Sequence, residues 1–150
     1  MPETDSLCKF GVGFGYMQSS EIREFEIMRI QVLIATMKQH DHSLLETMNI
    51  QTEAVVGNQC ERNEIEHFKF QGHDVAWYSF AERGVGLNRN NTLMRADADV
   101  CLFADDDMVY VDSYPKIVKN AFDELPDADI IVFDLKYPHL GRPPIKRVRR

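Results

Sequence analysis

Residues 100–107 read VCLFADDD, an apolar run that ends in three adjacent carboxylates. Val100 to Ala104 is short, apolar and bounded by acids, the pattern of a strand buried on both faces. Asp105, Asp106 and Asp107 repel one another, and the cost of that repulsion rises as water is excluded. A hydrated surface turn tolerates such a cluster cheaply. The end of a central strand tolerates it at a higher cost, which a cation would offset, and the spacing alone leaves both readings open. If the chain stays extended, alternate residues point the same way, so Asp105 and Asp107 converge while Asp106 faces elsewhere. Such hard oxygen ligands suit magnesium or manganese, with water and phosphate oxygens completing the shell.

Upstream, residues 82–96 read ERGVGLNRNNTLMRA. This predicts a turn at Gly84 and a helix from Val85 to Ala96. Gly84 and Gly86 let a ligand approach the backbone at a helix start, where free N–H groups favour anions. Arg89, one turn in, would reach a phosphate or pair with a carboxylate of the triplet. Asn88, Asn90 and Asn91 are poor helix-interior residues, so specific hydrogen bonds are expected of some of them.

Further out, Ile30 to Thr36 (IQVLIAT) predicts a first buried strand, Ala54 to Gly57 a second and Val75 to Phe80 a third. Ser43 to Asn49 predicts a helix with Leu44, Leu45 and Met48 inward, and Asn63 to Phe70 a helix with Ile65 and Phe68 on its apolar side. Beyond the triplet, Asp112 or Ser113 is expected to cap a helix with Tyr114, Ile117, Val118, Ala121, Phe122 and Leu125 on one face. Pro126 ends it, and Ile130 to Leu135 (IIVFDL) predicts a fifth strand. Alternating strands and helices imply a three-layer α/β/α architecture with a mostly parallel central sheet. Ligands of such sheets bind beyond the carboxyl ends of the strands. Thr36, Gly57 to Cys60, the loop before Gly84 and Asp105 to Asp107 fall there.

Residues 28–141 form the expected domain, between an N-terminal extension (1–27) and a basic tail (142–150). The extension carries Gly11, Gly13 and Gly15, without the strand or the third spaced glycine of a dinucleotide loop. Ser20 there is placed to cap a short helix bearing Ile22 and Phe25. The formal charge is −7, but Arg142, Lys146, Arg147, Arg149 and Arg150 give the tail +5, leaving −12 on residues 1–141. An acidic body argues against nucleic acid as a partner. The tail reads as a solvated end, or as a peripheral contact with anionic lipid headgroups. Cys8, Cys60 and Cys101 lack the spacing of disulfide or zinc frameworks. No apolar run approaches the roughly 18 residues of a membrane span. The expected location is cytoplasmic, with the inner membrane face as a possible site of contact.

Residues 82–107 resemble the central segment of family 2 glycosyltransferases. That segment has a glycine-bearing turn, an Arg-Asn pair, a small residue closing the helix, and a hydrophobic strand ending in D-x-D. The matching residues are Gly84, Arg89-Asn90, Ala96, Leu102-Phe103 and Asp105-Asp106-Asp107. Ile34 to Met37 (IATM) is similar to the family's first strand, where a Thr, here Thr36, lies beneath the nucleotide base. The resemblance runs from about Met28 to Leu135. It implies the GT-A fold, a nucleotide-diphospho-sugar donor touched by Thr36, Gly84, Arg89, Asp105 and Asp106, and a divalent manganese or magnesium ion on Asp105 and Asp107. It also implies sugar transfer to a saccharide or lipid-linked acceptor hydroxyl, in polysaccharide or glycoconjugate synthesis.

Two departures stand out. Acidic residues usually follow the second strand, where this chain has Gly57-Asn58-Gln59-Cys60, leaving Asn58 to hydrogen-bond the base. Inverting members also take a catalytic Asp or Glu from a later segment. Among the 43 residues after Asp107, Asp134 and His139 are the only late polar groups near that edge, and neither stands out as a base. The chain thus reads as the donor-binding part of a longer enzyme. Two other classes stay open: a sugar nucleotidyltransferase and a non-catalytic nucleotide-sugar-binding module. The first usually has a basic glycine-rich loop after strand one, whereas Lys38 to Leu44 (KQHDHSL) has no glycine.

Overall fold

β1 (Ile30–Met37) is buried along all but its last residue, as a strand covered on both faces must be. The computed structural model describes residues 28–135. β1 pairs in parallel with β2 (Glu53–Gln59) on one side and β5 (Val100–Asp105) on the other. β2 also pairs in parallel with β4 (His73–Phe80), whose far side carries β3 (Glu64–Phe70) in antiparallel register. The five-stranded mixed sheet therefore runs β3-β4-β2-β1-β5.

Helices lie on both faces. α1 (Ser43–Thr47) and α3 (Tyr114–Glu124) flank the larger core, where Val32, Ile34, Val56 and Trp77 meet Leu44, Leu45, Met48, Tyr114 and Val118. Burying each aliphatic side chain contributes about 1.5–3 kcal/mol. Tyr110 and Tyr114 pack ring to ring at 4.3 Å in this layer, and burial pushes both hydroxyls up from their ordinary pKa. α2 (Val85–Leu93) covers β1 and β2 on the opposite face. The mostly parallel α/β architecture and the inward Leu44, Leu45 and Met48 agree with the sequence reading.

Several expectations need correction. Asn63 to Phe70 is not a helix, because Glu64–Phe70 is strand β3. Phe68 and Phe70, two apart, pack on the core, while Ile65 points away with 64 % of its surface exposed. Gln71 and Gly72, both at positive φ, make the two-residue turn that suits a twisted hairpin. Ile130 to Leu135 is not a strand either. A strand needs a neighbour's backbone to complete its hydrogen bonds. This segment pairs with none among the described residues, and Ile130 and Val132 are 82 % and 83 % exposed.

α2 ends at Leu93 rather than Ala96, with turn hydrogen bonds from Arg95 and Ala96 closing its end. α3 starts after Ser113 as expected, but without a side-chain cap. Ser113 is left-handed (φ 59°), its N–H donates to Gln51 Oε1, and Asp112 accepts from Asn49. Pro115, which needs no N–H partner, eases the helix start. Of its predicted apolar face, Tyr114 and Val118 are buried, while Ile117 and Leu125 are exposed. The extension, the tail, Cys8 and His139 lie outside the described residues. No helix among the described residues is long and apolar enough to cross a membrane.

Candidate functional site

The parallel strands β1, β2, β4 and β5 all deliver their carboxyl ends to one rim, where a hydrogen-bonded chain crosses the sheet. Thr36, at the end of β1, donates its hydroxyl to Asp106 Oδ2 at 2.6 Å and accepts from Gln39 Nε2 at 3.0 Å. Gln39 N–H donates to Asn58 Oδ1 (3.0 Å), and Asn58 Nδ2 returns to Gln39 O (3.1 Å) and reaches Ser79 Oγ on β4 (3.3 Å). The turn after β5 is thereby linked to residues of β1, β2 and β4.

α2 is locked onto this rim by a close approach. Asn88 Nδ2 donates to the carbonyls of Thr36 (3.1 Å) and Gly57 (2.8 Å), joining β1 to β2 from the opposite face. A methyl group in place of the Gly57 hydrogen would fall 1.9 Å from Asn88 Oδ1, so only glycine fits. That oxygen is buried without a hydrogen-bond donor. Gly84, at φ 130°, opens the helix, and its carbonyl accepts from Gln59 Nε2 at 3.0 Å. From the exposed side of α2, Arg89 Nη2 pairs with Asp105 Oδ1. This is the carboxylate partner that the sequence offered.

Thr36, Gly84, Arg89, Asp105 and Asp106 are thus brought to one rim. Asn58 reaches the same rim but lies beneath it. It is 0 % exposed, with its amide engaged by Gln39 and Ser79, so it supports the loop after β1 and does not itself face a ligand. The expected convergence of Asp105 and Asp107 on an extended ridge is not what forms. β5 ends at Asp105, and Met108 N–H turns back to the Asp105 carbonyl (3.2 Å). Asp106 and Asp107 therefore sit in a turn, where alternation no longer dictates direction. Asp107 is exposed. No group of three or more His, Cys, Asp or Glu side chains among the described residues is arranged to hold a metal.

Beside this rim, between the first turns of α2 and the end of β5, lies a groove of about 480 Å³. Gly86, Arg89, Asn90, Phe103, Asp105 and Met108 line it. A second groove lies on the α2 side of the sheet, with Arg29, Glu53, Lys69, Asp74 and Asp97 among its walls. Its charges are matched within the protein, Arg29 with Glu53 (2.6 Å) and Asp97 (3.2 Å), and Lys69 with Asp74 (2.8 Å).

Sequence reasoning anticipated Asn88 through its poor fit to a helix interior. Gln39 went unnoticed because a glutamine in a polar loop carries no signal. Phe103 was read only as part of the strand, since every residue of an apolar run was expected to be covered. No family model, curated protein or solved structure matches the chain.

Proposed function

We propose that this chain binds a nucleotide-diphospho-sugar at the carboxyl rim of its sheet, as the donor-binding part of a GT-A-type glycosyltransferase. The observation that carries the reading is the joining of three elements at one place. Thr36 of β1 holds Asp106, while Asp105 of the same triplet pairs with Arg89 of α2. A cationic side chain, two anchored carboxylates and an exposed third one then stand where α/β sheets bind ligands. The resemblance of residues 82–107 to family 2 glycosyltransferases supports the same conclusion.

A magnesium or manganese ion at this rim would be one that draws few ligands from the protein. The described residues do not make an all-protein cage. Magnesium often takes only one or two carboxylates and completes its shell with water and substrate phosphates. Asp107, exposed, and Asp105, held only at its surface by Arg89, are the two that would hold the ion. When bound, the ion supplies positive charge against the diphosphate leaving group. Arg89, whose pair with Asp105 is at the surface, would offer a second positive charge to a phosphate. Thr36 keeps Asp106 turned to the sheet, so the turn presents its two neighbours outward. Acceptor activation is assigned to no residue here, because Asp134 lies on the exposed, unpaired segment after α3. Saccharide or lipid-linked acceptors remain the proposed partners, with the basic tail as a peripheral lipid contact.

Titration calorimetry with a nucleoside diphosphate, with and without manganese, tests the reading. Binding should require the metal and fall at least about tenfold in Asp107→Ala. Transfer from a radiolabelled nucleotide-sugar then separates catalysis from binding alone. Metal-independent binding, or binding untouched by Asp107→Ala, would refute the assignment.

A further inference from the structure

The two outer strands of the sheet are unlike. β3 carries Glu64, Glu66 and Lys69 along its length, the usual guard against pairing with another chain. β5 has neither charge nor proline from Val100 to Ala104. Its backbone shows which groups are unused. Val100 N–H donates to the Arg29 carbonyl at 3.1 Å, so Val100, Leu102 and Ala104 turn their N–H and C=O groups to β1. Those of Cys101 and Phe103 point outward, and β5 has no second neighbour among the described residues. The N–H and carbonyl of Asp105, at its end, are engaged by Met108. Phe103 is also 51 % exposed, and Leu102 is only partly covered on the other face.

Such an edge fits another strand. Ile130 to Leu135 is the nearest in sequence, but a strand reached through α3 would run parallel to β5. The crossovers β1-α1-β2 and β4-α2-β5 share one hand, since their helices lie on opposite faces and they step in opposite directions. α3 lies on the α1 face, so an outward step from β5 would take the other hand, against a rule kept in about 98 % of parallel connections. A second copy's β5, running antiparallel, fits without that conflict. In an antiparallel pair, hydrogen-bonded residues exchange both N–H···O=C bonds. With Leu102 on a twofold axis, Cys101 stands opposite Phe103 of the other copy, and every outward group of both residues is used. A shift of two residues sets one of them against Asp99, outside the strand, or Asp105, already engaged.

We infer that β5 is a self-association edge, joining two copies across a twofold axis into one continuous sheet. The inference is independent of the nucleotide-sugar reading. The interface is narrow, at the weak end below roughly 1,200 Å², so the dimer dissociates on dilution. At each end Asp99 faces Asp105 of the other copy, a repulsion that salt screens.

Sedimentation velocity of the full chain tests this over a wide range of concentration. Dimer should grow with concentration and with salt. Phe103→Lys and Cys101→Pro should each weaken it at least about tenfold and leave the dilute protein folded, because the proline removes only an outward N–H. Amide exchange at Cys101 and Phe103 should slow as concentration rises. Register is read with Phe103→Cys in a Cys8→Ser, Cys60→Ser background. The new thiol lies opposite Cys101 of the second copy, so oxidised glutathione should cross-link dimers, and adding Cys101→Ser should abolish the cross-link. Protein that stays monomeric at every concentration overturns the inference. If its Cys101 and Phe103 amides are nevertheless slow, the chain's own residues cover the edge. A dimer indifferent to both edge substitutions and without the cross-link uses another surface, which overturns the inference too. Should an edge variant fail to fold, the cross-link decides.

Discussion

The rim of this sheet has two unlike halves. Around β1 and β2 its polar residues are buried and bonded within the protein: Thr36, Asn58, Gln59 and Asn88 are almost fully enclosed, and of their side-chain atoms Asn88 Oδ1 alone lacks a partner. Around β5 the polar residues are exposed: Arg89, Asp105 and Asp107 face solvent, beside a half-bare phenyl ring. The contrast separates a frame from a working surface. An amide whose hydrogen bonds are all spent inside the protein holds its neighbours in place, whereas a charge with a single exposed partner can exchange it for a ligand.

Substitutions should fall into the same two groups. Gly57→Ala is expected to have the largest effect. Its methyl would lie 1.9 Å from Asn88 Oδ1 and 3.0 Å from Thr92 Cγ2, forcing α2 off the sheet. Overpacking and broken buried hydrogen bonds together should cost about 3 kcal/mol in a urea denaturation series. An unchanged midpoint would mean that α2 does not sit as described. Asn88→Ala comes next. It removes the donor to the Thr36 and Gly57 carbonyls and should cost about 2 kcal/mol by the same measurement. A loss under about 0.5 kcal/mol would show that water replaces the amide easily and that this half is no rigid frame.

On the working surface the stability effects should be small. Arg89→Ala breaks an exposed ion pair and should change stability by less than about 1 kcal/mol. It should also weaken nucleoside diphosphate binding and flatten its dependence on salt. A large drop in melting temperature would move Arg89 into the frame. Asp107→Ala should have the smallest effect on folding, within about 0.5 kcal/mol. Thermal unfolding with and without manganese checks this, because only the wild type should gain stability from the metal plus diphosphate.

Much of the scaffold could be read from residue patterns alone. β1 was legible because seven of its eight residues are buried, which shows in the sequence as the apolar run Val32 to Ala35. β3 was misread because Ile65 and Phe68 are spaced like a helix face, while the signal that decides, Phe68 and Phe70 before a Gln71-Gly72 turn, is only two residues long. Ile130 to Leu135 has every local mark of a strand. Pairing is not a local property, and that segment finds no neighbour among the described residues. At the site, Arg89 and the triplet could be picked out because charge beside a buried strand is costly and therefore conspicuous. The true position of Asn58 could not, since an amide reads alike whether it faces a ligand or props up a loop. The turn after Asp105 was equally hidden, because three aspartates say nothing about where a strand stops.

The hydrogen bond between Thr36 and Asp106 spans 70 residues of sequence, whereas β3 and β4 meet across a two-residue turn. Closing a long loop costs more entropy than closing a short one, so distant pairings tend to form late. The hairpin is therefore expected to be an early folding event and the docking of β5 on β1 one of the last. Pulse-labelled hydrogen exchange during refolding should protect the amides linking β3 to β4 before those linking β5 to β1, and simultaneous protection would contradict this order. On this sequence of events, the carboxylates come together with Thr36 only as the chain completes its sheet, so a partly folded molecule would hold no early version of the site.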